Sequence, residues 1–204
     1  MSTKGERTRA EIIRKSAELM NRQGFLSAPL SAVIEATGIQ KGGLYRHFDS
    51  RDALAEEALE FAVSQVRERF RQALEGQHEA CGQLLAIVHA YGDNDGELPL
   101  PGGCPIMNSA IESDHAHPGL RQSAQAAMSG WHGLLVRIVD AGLRAGQIRR
   151  GTRPAEVAST LIACMEGAVM LTHLYGDLAH WRAVQRHLEH YIEHDLRPLP
   201  GAPR

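Results

Sequence analysis

Features that would indicate several other classes of protein are missing from this chain of 204 residues. No segment approaches the ~18 consecutive apolar residues that predict a membrane-spanning helix, so we expect no membrane partner. The first residues are charged and polar and lack the apolar region of a secretory signal. The three cysteines are an odd set without metal-ligand spacing. These absences predict a cytoplasmic protein with reduced thiols.

Charge is unevenly distributed along the chain. Residues 1–52 contain nine Lys/Arg and six Asp/Glu, a net charge of +3, so the overall charge of −2 leaves −5 for the remainder. A basic head on an acidic body is typical of a protein that contacts nucleic acid at one end.

Apolar residues recur at helical spacing along the whole chain, and no stretch shows the sustained alternation of a strand. This pattern predicts an all-α fold without internal repeats. The expected helices cover residues 6–23, 30–37, 41–47, 51–75, 79–91, 105–113, 118–144, 154–175 and 179–195. A loop rich in Gly, Asp and Pro should span residues 92–103, and the tail at 197–204 should be disordered.

Residues 38–54 carry the most informative pattern. Gly38 lies between two short helical segments, where a helix-turn-helix needs a residue that tolerates positive φ. The segment after it begins with small residues, which lets the backbone approach a DNA groove. It ends in Tyr45, Arg46 and His47, whose donors can reach phosphates. The pattern predicts a DNA-binding head.

Taken together, these residues resemble the TetR family of one-component transcriptional regulators. The resemblance covers about the first 55 residues and includes Gly24-Phe25 at the end of the first helix, the run Lys41 to Phe48, and Ser50 to Leu54. It implies a helix-turn-helix domain of three helices at residues 1–52, joined by the long fourth helix to a helical ligand-binding and dimerisation domain at residues 53–196. It also implies a homodimer that binds double-stranded operator DNA and a small-molecule effector. We expect no cofactor and no enzyme activity.

The resemblance assigns DNA-binding roles to eight residues. They are Gln40, Lys41, Gly42, Gly43, Tyr45, Arg46, His47 and Arg51. The first four would face the major groove, where Lys41 either reads guanine or holds a phosphate. The others would lie near the phosphates.

Two positions depart from the family pattern. A Ser or Thr usually caps the second helix, whereas this chain has Ala28-Pro29. Pro29 can occupy the first helical turn, where its missing N–H costs little. Ser27 could cap the helix from one step earlier. Gln40 stands where a Ser is common. Glutamine caps poorly, but it can form two hydrogen bonds with adenine, which indicates an altered base preference.

A regulator also needs an effector site, and the body of the chain offers apolar candidates. Methionine adapts to varied shapes, which suits a pocket for apolar ligands. The candidate ligand-binding residues are Cys104, Met107, Ile111, Met128, Trp131, Leu135, Met165, Val169 and His173. Any one of them could instead be ordinary core, because apolar helix faces are usually buried.

Cys104 follows Gly102-Gly103 and precedes Pro105, a residue that favours the first position of a helix. The cysteine is therefore predicted at the N-cap, where unpaired N–H groups and the helix dipole favour a reactive thiolate. The run from Gly103 to Asn108 also resembles a segment of TetR-type repressors that respond to electrophiles or oxidants. The alternative is a small buried residue at a helix start. Cys81 and Cys164 lie on apolar helix faces and are expected to be packing residues.

Two groups of histidines could bind a transition metal. His187, His190 and His194 share one face of the last helix, and His115 and His117 flank Ala116. Neither group has the full ligand set of a recognisable site. We expect exposed histidines and no metal.

The leading interpretation is a homodimeric repressor that is released from its operator by a small apolar ligand or by modification of a thiol. The dimer interface is predicted on helix 154–175, against a face of the last helix that carries Trp181, Val184, Leu188 and Ile192. The alternatives are a small all-helical enzyme and a ligand-binding or interaction protein without DNA binding. No Ser–His–acid or paired-carboxylate arrangement is evident, and Lys41, Tyr45 and His47 argue for DNA contact.

Overall fold

The computed structural model describes residues 3–92, 98–113 and 117–198. Over these ranges the chain is helical and contains no strand, which confirms the all-α prediction. The helices are α1 (Lys4–Gln23), α2 (Leu30–Thr37), α3 (Lys41–Leu44), α4 (Arg51–Leu74), α5 (Ala80–Tyr91), α6 (Pro105–Glu112), α7 (Pro118–Arg144), α8 (Pro154–Tyr175) and α9 (Ala179–His190). A π-helical turn, Tyr191–Leu196, continues α9. His115, residues 93–97 of the 92–103 loop and the end of the tail lie outside the described residues.

The chain divides into two compact units, each assembled from two segments. The first unit comprises residues 1–65 and 99–127, and the second comprises residues 66–98 and 128–204. Helices α1 to α3 and α6 belong to the first unit, and α5, α8 and α9 belong to the second, while α4 and α7 contribute to both. The functional division at residue 52 stays a prediction.

Helix caps and glycines define the start of the first unit. Thr3 and Glu6 form a reciprocal cap on α1: the Glu6 N–H donates to Thr3 Oγ1 at 3.2 Å, and the Thr3 N–H donates to Glu6 Oε2 at 2.7 Å. Helix α1 ends at Gly24 (φ 99°) and α2 ends at Gly38 (φ 70°). The left-handed conformation of Gly38 is the turn that the helix-turn-helix pattern predicts.

The starts of α2 and α3 differ from the expectations. Pro29 is the N-cap of α2 and not part of its first turn, and Ser27 does not cap, because its hydroxyl donates to Glu112 Oε1 at 2.9 Å. Helix α3 is only four residues long and is followed by turns through His47. Two glycines in those four residues explain the short helix, since each costs about 1 kcal/mol relative to alanine.

Helix α8 contributes much of the core of the second unit. Its buried side chains include Val157, Leu161, Met165 and Val169. By length and mean hydropathy (1.5) the helix would also pass for a membrane span, with 44% of the apolar window buried in the protein. Core helices of helical domains commonly have the same composition.

Helix α9 packs its apolar face into the same core. Trp181, Leu188 and Ile192 are each at most 1% exposed. A Cβ added at Gly92 would lie 2.4 Å from the indole of Trp181, so the chain approaches this ring as closely as a glycine allows. The prediction that these three residues face a partner subunit is therefore wrong: they fill the core of their own protomer.

Candidate nucleic-acid interface

The side chains of α3 and the turn after it divide into a buried set and an exposed set. Leu44 and Phe48 are 0% and 3% exposed, and they anchor the segment to the core. The exposed residues are Gln40, Lys41, Gly42, Tyr45 and Arg46, and the half-buried ones are Gly43 and His47. At 44% exposure, Tyr45 is not a core residue. One short segment thus presents the polar and basic side chains while its two large apolar residues hold it in place.

The two glycines of α3 serve different purposes. A Cβ at Gly43 would lie 2.8 Å from Cγ1 of Ile39, so this glycine is required for packing inside the unit. A Cβ at Gly42 would meet nothing within 4 Å. Space within the protein therefore does not explain the missing side chain of Gly42, whereas close approach of another molecule would.

Phe48 is held from outside by Arg9, whose guanidinium lies 4.8 Å from the centre of the ring. The same guanidinium forms an ion pair with Glu57 at 2.6 Å. These contacts tie α1 to α4 beside the recognition segment. They also engage the guanidinium of Arg9 in contacts within the protein.

Arg51 has a structural task in this fold. Its guanidinium donates to the carbonyl oxygens of Phe25 (3.0 Å), Leu26 (2.8 Å) and Ala28 (2.7 Å). The side chain is 20% exposed. Because Nε and Nη2 donate to these carbonyls and Nη1 lies 3.6 Å from Asp52 Oδ1, Arg51 is a poor candidate for a phosphate contact. Ser50 caps α4: its Oγ accepts the N–H of Ala53 at 3.0 Å.

The candidate effector residues fall into both units. In the first unit, Cys104 is the N-cap of α6 with Pro105 as the first helical residue, which confirms the predicted position, and its side chain is 1% exposed. Met107 is half-buried. Ile111 is 72% exposed, beside a cleft of about 260 Å³ that Glu112 also borders. Ile111 therefore lines no enclosed apolar pocket in this conformation.

In the second unit four of the candidates are buried, and one of them, Trp131, belongs to an aromatic cluster. Leu135, Met165 and Val169 are at most 1% exposed, Trp131 is 6% exposed and Met128 is half-buried. Trp131 stacks on Tyr91 with ring centres 4.9 Å apart, and Phe70 lies 5.6 Å from Trp131. The sequence reasoning missed Phe70 and Tyr91, although both occupy apolar faces of their helices. His173 is exposed near the end of α8 and is not part of this core.

The remaining cysteines and histidines are mostly structural or exposed. The structure forms no disulfide between the cysteines, all of which lie in the described ranges. Cys81 is buried, and this burial raises the pKa of its thiol. His187, His190 and His194 are exposed as expected, and the described residues contain no cluster of three potential metal ligands.

His117 is an exception to the expected exposure. Its side chain is 19% exposed, with Nε2 at 3.3 Å from Asp52 Oδ2. Its Nδ1 accepts the N–H of Leu120 at 3.2 Å. The residue therefore caps the start of α7, and a solvated histidine was the wrong expectation.

An exposed basic segment behind a glycine turn, on an all-helical scaffold, defines a helix-turn-helix DNA-binding protein. Family models agree: residues 12–58 match bacterial regulatory proteins of the tetR family, and residues 80–188 match the tetracyclin repressor-like C-terminal domain. The chain belongs to the TetR family of DNA-binding transcriptional regulators.

Relatives along nearly the whole length support this assignment. A TetR transcriptional regulator from Chloroflexus aurantiacus J-10-FL is 36% identical, with a TM-score of 0.91 over 95% of this chain and 98% of that one. A TetR-family regulator from Cytophaga hutchinsonii is 30% identical, with a TM-score of 0.89 over 97% and 98%. The HTH-type transcriptional regulator UidR of Escherichia coli (strain K12) is 26% identical over 98% of this chain and 95% of its own length. These relatives are regulators, and the protein is a transcription factor, not an enzyme.

Proposed function

We propose that this protein is a homodimeric repressor that binds a two-fold symmetric operator and leaves it when an effector binds. The observation that carries the DNA part is the exposed set Lys41, Tyr45 and Arg46, mounted on a segment anchored by Leu44 and Phe48. Anchored backbone with exposed donors is what a recognition helix requires, because the groove-facing side chains must be positioned by the core.

The proposed contacts divide into base-reading and phosphate-binding residues. Gln40 and Lys41 lie at the start of α3, where side chains reach base edges, and Gly42 lets the backbone approach the groove. Tyr45, Arg46 and the half-buried His47 lie in the turn that follows and would bind phosphates.

We propose that the dimer forms through one stripe of α8. Residues 160, 163, 167, 170 and 174 recur every three or four positions on the side of the helix opposite the core, as Thr160, Ala163, Gly167, Met170 and Leu174. Met170 is 49% exposed and Leu174 is 71% exposed. The small residues allow close helix approach, and the large ones supply apolar area, so a second copy of this stripe would cover both.

The effector is proposed to be a small apolar molecule or an electrophile. Apolar binding is supported by the concentration of Trp131, Leu135 and Met165 in one core. Reaction at Cys104 is supported by its N-cap position. Because the thiol is 1% exposed, a reagent could reach it only after a local opening of the structure. A cytoplasmic location belongs to the same proposal.

A gel-shift assay on the DNA flanking the protein's own gene tests the DNA contacts. Lys41→Ala should weaken binding by about five- to 150-fold if the lysine reads a base, equivalent to ~1–3 kcal/mol. Tyr45→Phe combined with His47→Ala should weaken binding to all duplexes alike. Arg150→Ala, which removes an exposed cation of the second unit, is the matched control and should bind normally. Normal binding by the Tyr45 and His47 double variant would refute the phosphate-contact assignment.

A further inference from the structure

A dense hydrogen-bond network joins the C-terminal end of α1 to residues 101–108. Asn21 is 2% exposed, and its Nδ2 donates to the carbonyl oxygens of Pro101 (3.0 Å) and Gly103 (2.9 Å). In return, Nδ2 of Asn108 donates to the main-chain oxygen of Asn21 (3.1 Å) and to the carbonyl oxygen of Gly102 (2.8 Å). The start of α6 is therefore fixed to the end of α1.

Backbone geometry makes the same contact unusually close. Gly102 has φ of +109°, and a Cβ there would lie 2.5 Å from the carbonyl oxygen of Asn21. A side chain at this position would meet main chain and not a flexible side chain. The close approach and the asparagine pair together tie the Cys104 segment to α1.

The C-terminal end of α6 is hydrogen-bonded to the turn between α1 and α2. Glu112 Oε2 accepts the N–H of Leu26 at 3.1 Å, and Oε1 accepts the hydroxyl of Ser27 at 2.9 Å. Gly24 lies so close that an added Cβ would be 1.8 Å from Glu112 Oε1. The carboxylate thus links the end of α6 to this turn.

Arg51 binds the same turn, because its guanidinium donates to the carbonyl oxygens of the turn. The carboxylate of Glu112 therefore binds donors of residues 26 and 27 while the guanidinium of Arg51 binds acceptors of residues 25, 26 and 28. Helix α2 begins at Leu30, directly after this turn, and leads through Gly38 into α3. The turn held by Glu112 and Arg51 therefore directly precedes the helices that lead to the recognition segment.

We infer that Glu112 is a positioning residue for DNA binding and that it couples the Cys104 end of α6 to operator affinity. The inference rests on the proposed placement of α3 on DNA. When Glu112 keeps its hydrogen bonds to the turn, the turn and α2 are in the DNA-binding arrangement. When α6 opens and Cys104 becomes accessible, the turn loses the Glu112 contacts and operator affinity falls. Because coupling between two sites is reciprocal, operator DNA must in turn oppose exposure of Cys104.

The test is the rate at which iodoacetamide alkylates Cys104 in the full-length protein, with and without saturating operator duplex, followed by mass spectrometry of the Cys104 peptide. In the wild-type protein the duplex should slow alkylation about tenfold, a typical size for coupling between sites. In Glu112→Ala, alkylation without DNA should be faster, and the effect of DNA should fall to within about twofold. Operator affinity should also decrease in this variant.

Ser113→Ala is the matched control. Ser113 is buried and its hydroxyl donates to the carbonyl oxygen of Ser109 at 2.6 Å, a contact next to α6 that does not reach the turn. It should keep the full protection by DNA. If Glu112→Ala does not fold, Glu112→Gln provides the test, because the amide keeps the shape and one acceptor but loses the charge and should show a reduced protection ratio.

A merely structural role for Glu112 would lower thermal stability and speed alkylation, yet leave the protection ratio unchanged. That result would overturn the inference, as would alkylation of wild-type Cys104 that is insensitive to DNA. A wrong assignment of the DNA-contact surface would be recognised separately. The Tyr45→Phe, His47→Ala double variant, in which Glu112 is intact, would then bind the operator normally.

Discussion

Replacing Arg51 with alanine should destabilise the protein without directly removing a DNA contact. The substitution leaves three carbonyl oxygens, those of Phe25, Leu26 and Ala28, without their guanidinium donor. Phe25 and Ala28 are at most 1% exposed, so the region around these carbonyls is poorly hydrated. An unsatisfied buried acceptor costs more than the bond itself contributes.

The magnitude follows from the number and kind of these bonds. A hydrogen bond to a charged group contributes ~1.5–3 kcal/mol. The three bonds share one side chain that is 20% exposed, so they do not add fully. We expect a loss of ~3 kcal/mol, about 6–12 °C in Tm at ~2–4 °C per kcal/mol for a chain of this size. Arg51→Lys should recover only part, because an ammonium group cannot match the planar guanidinium fork.

Thermal unfolding and salt-dependent DNA binding measured together decide the role of this residue. Arg46→Ala is the matched control, because Arg46 is exposed on the recognition segment. It should leave Tm within ~2 °C and reduce the slope of log K against log salt by ~1. Arg51→Ala should show the reverse, a lower Tm with an unchanged slope. A normal Tm and a reduced slope for Arg51→Ala would refute the structural assignment.

Three further outcomes are expected. Leu174→Lys should convert the dimer to a monomer in sedimentation at micromolar concentration, because a charge would be buried at the C-terminal end of the α8 stripe; a stable dimer would exclude this stripe. Gly102→Ala should lower the free energy of unfolding by more than 2 kcal/mol, on the order of a strained backbone plus a clash. Gly146→Ala should cost only ~1 kcal/mol, because Gly146 has φ of +68° and open space around it. Equal losses in chemical denaturation would contradict the close contact of residue 102. Iodoacetamide at pH 8 should alkylate half-buried Cys164 well before Cys81, whose pKa is raised by burial, and faster labelling of Cys81 in mass spectra would contradict its burial.

Local signals in the sequence predicted the helices well. Proline at the starts of α6, α7 and α8 and glycine after α1, α2 and α8 fix these helix ends through backbone constraints of the residues themselves. The N-cap position of Cys104 was predictable for the same reason. The length of α3 was overestimated because helical spacing continues through His47, while the glycines of α3 weaken the helix.

Contacts between residues far apart in sequence could not be predicted. Arg51 and Ser27 were assigned by their neighbours in the chain, whereas their partners are main-chain carbonyls more than twenty residues away and the carboxylate of Glu112. The apolar face of α9 was assigned to a partner subunit because periodicity shows that a face is buried and not which surface buries it. Only the tertiary structure shows that the apolar face of α9 is buried by its own protomer.

DNA binding by two copies of this chain through the exposed face of α3 can be tested by selecting duplexes from a random-sequence library with the full-length protein. We expect enrichment of a two-fold symmetric site with half-sites about one helical turn or more apart. Lys41→Ala should select a more degenerate half-site with the same spacing. Enrichment of an asymmetric site would refute binding by two symmetric copies. Selection of an identical site at undiminished affinity by Lys41→Ala and by the Tyr45→Phe, His47→Ala double variant would refute contact through α3.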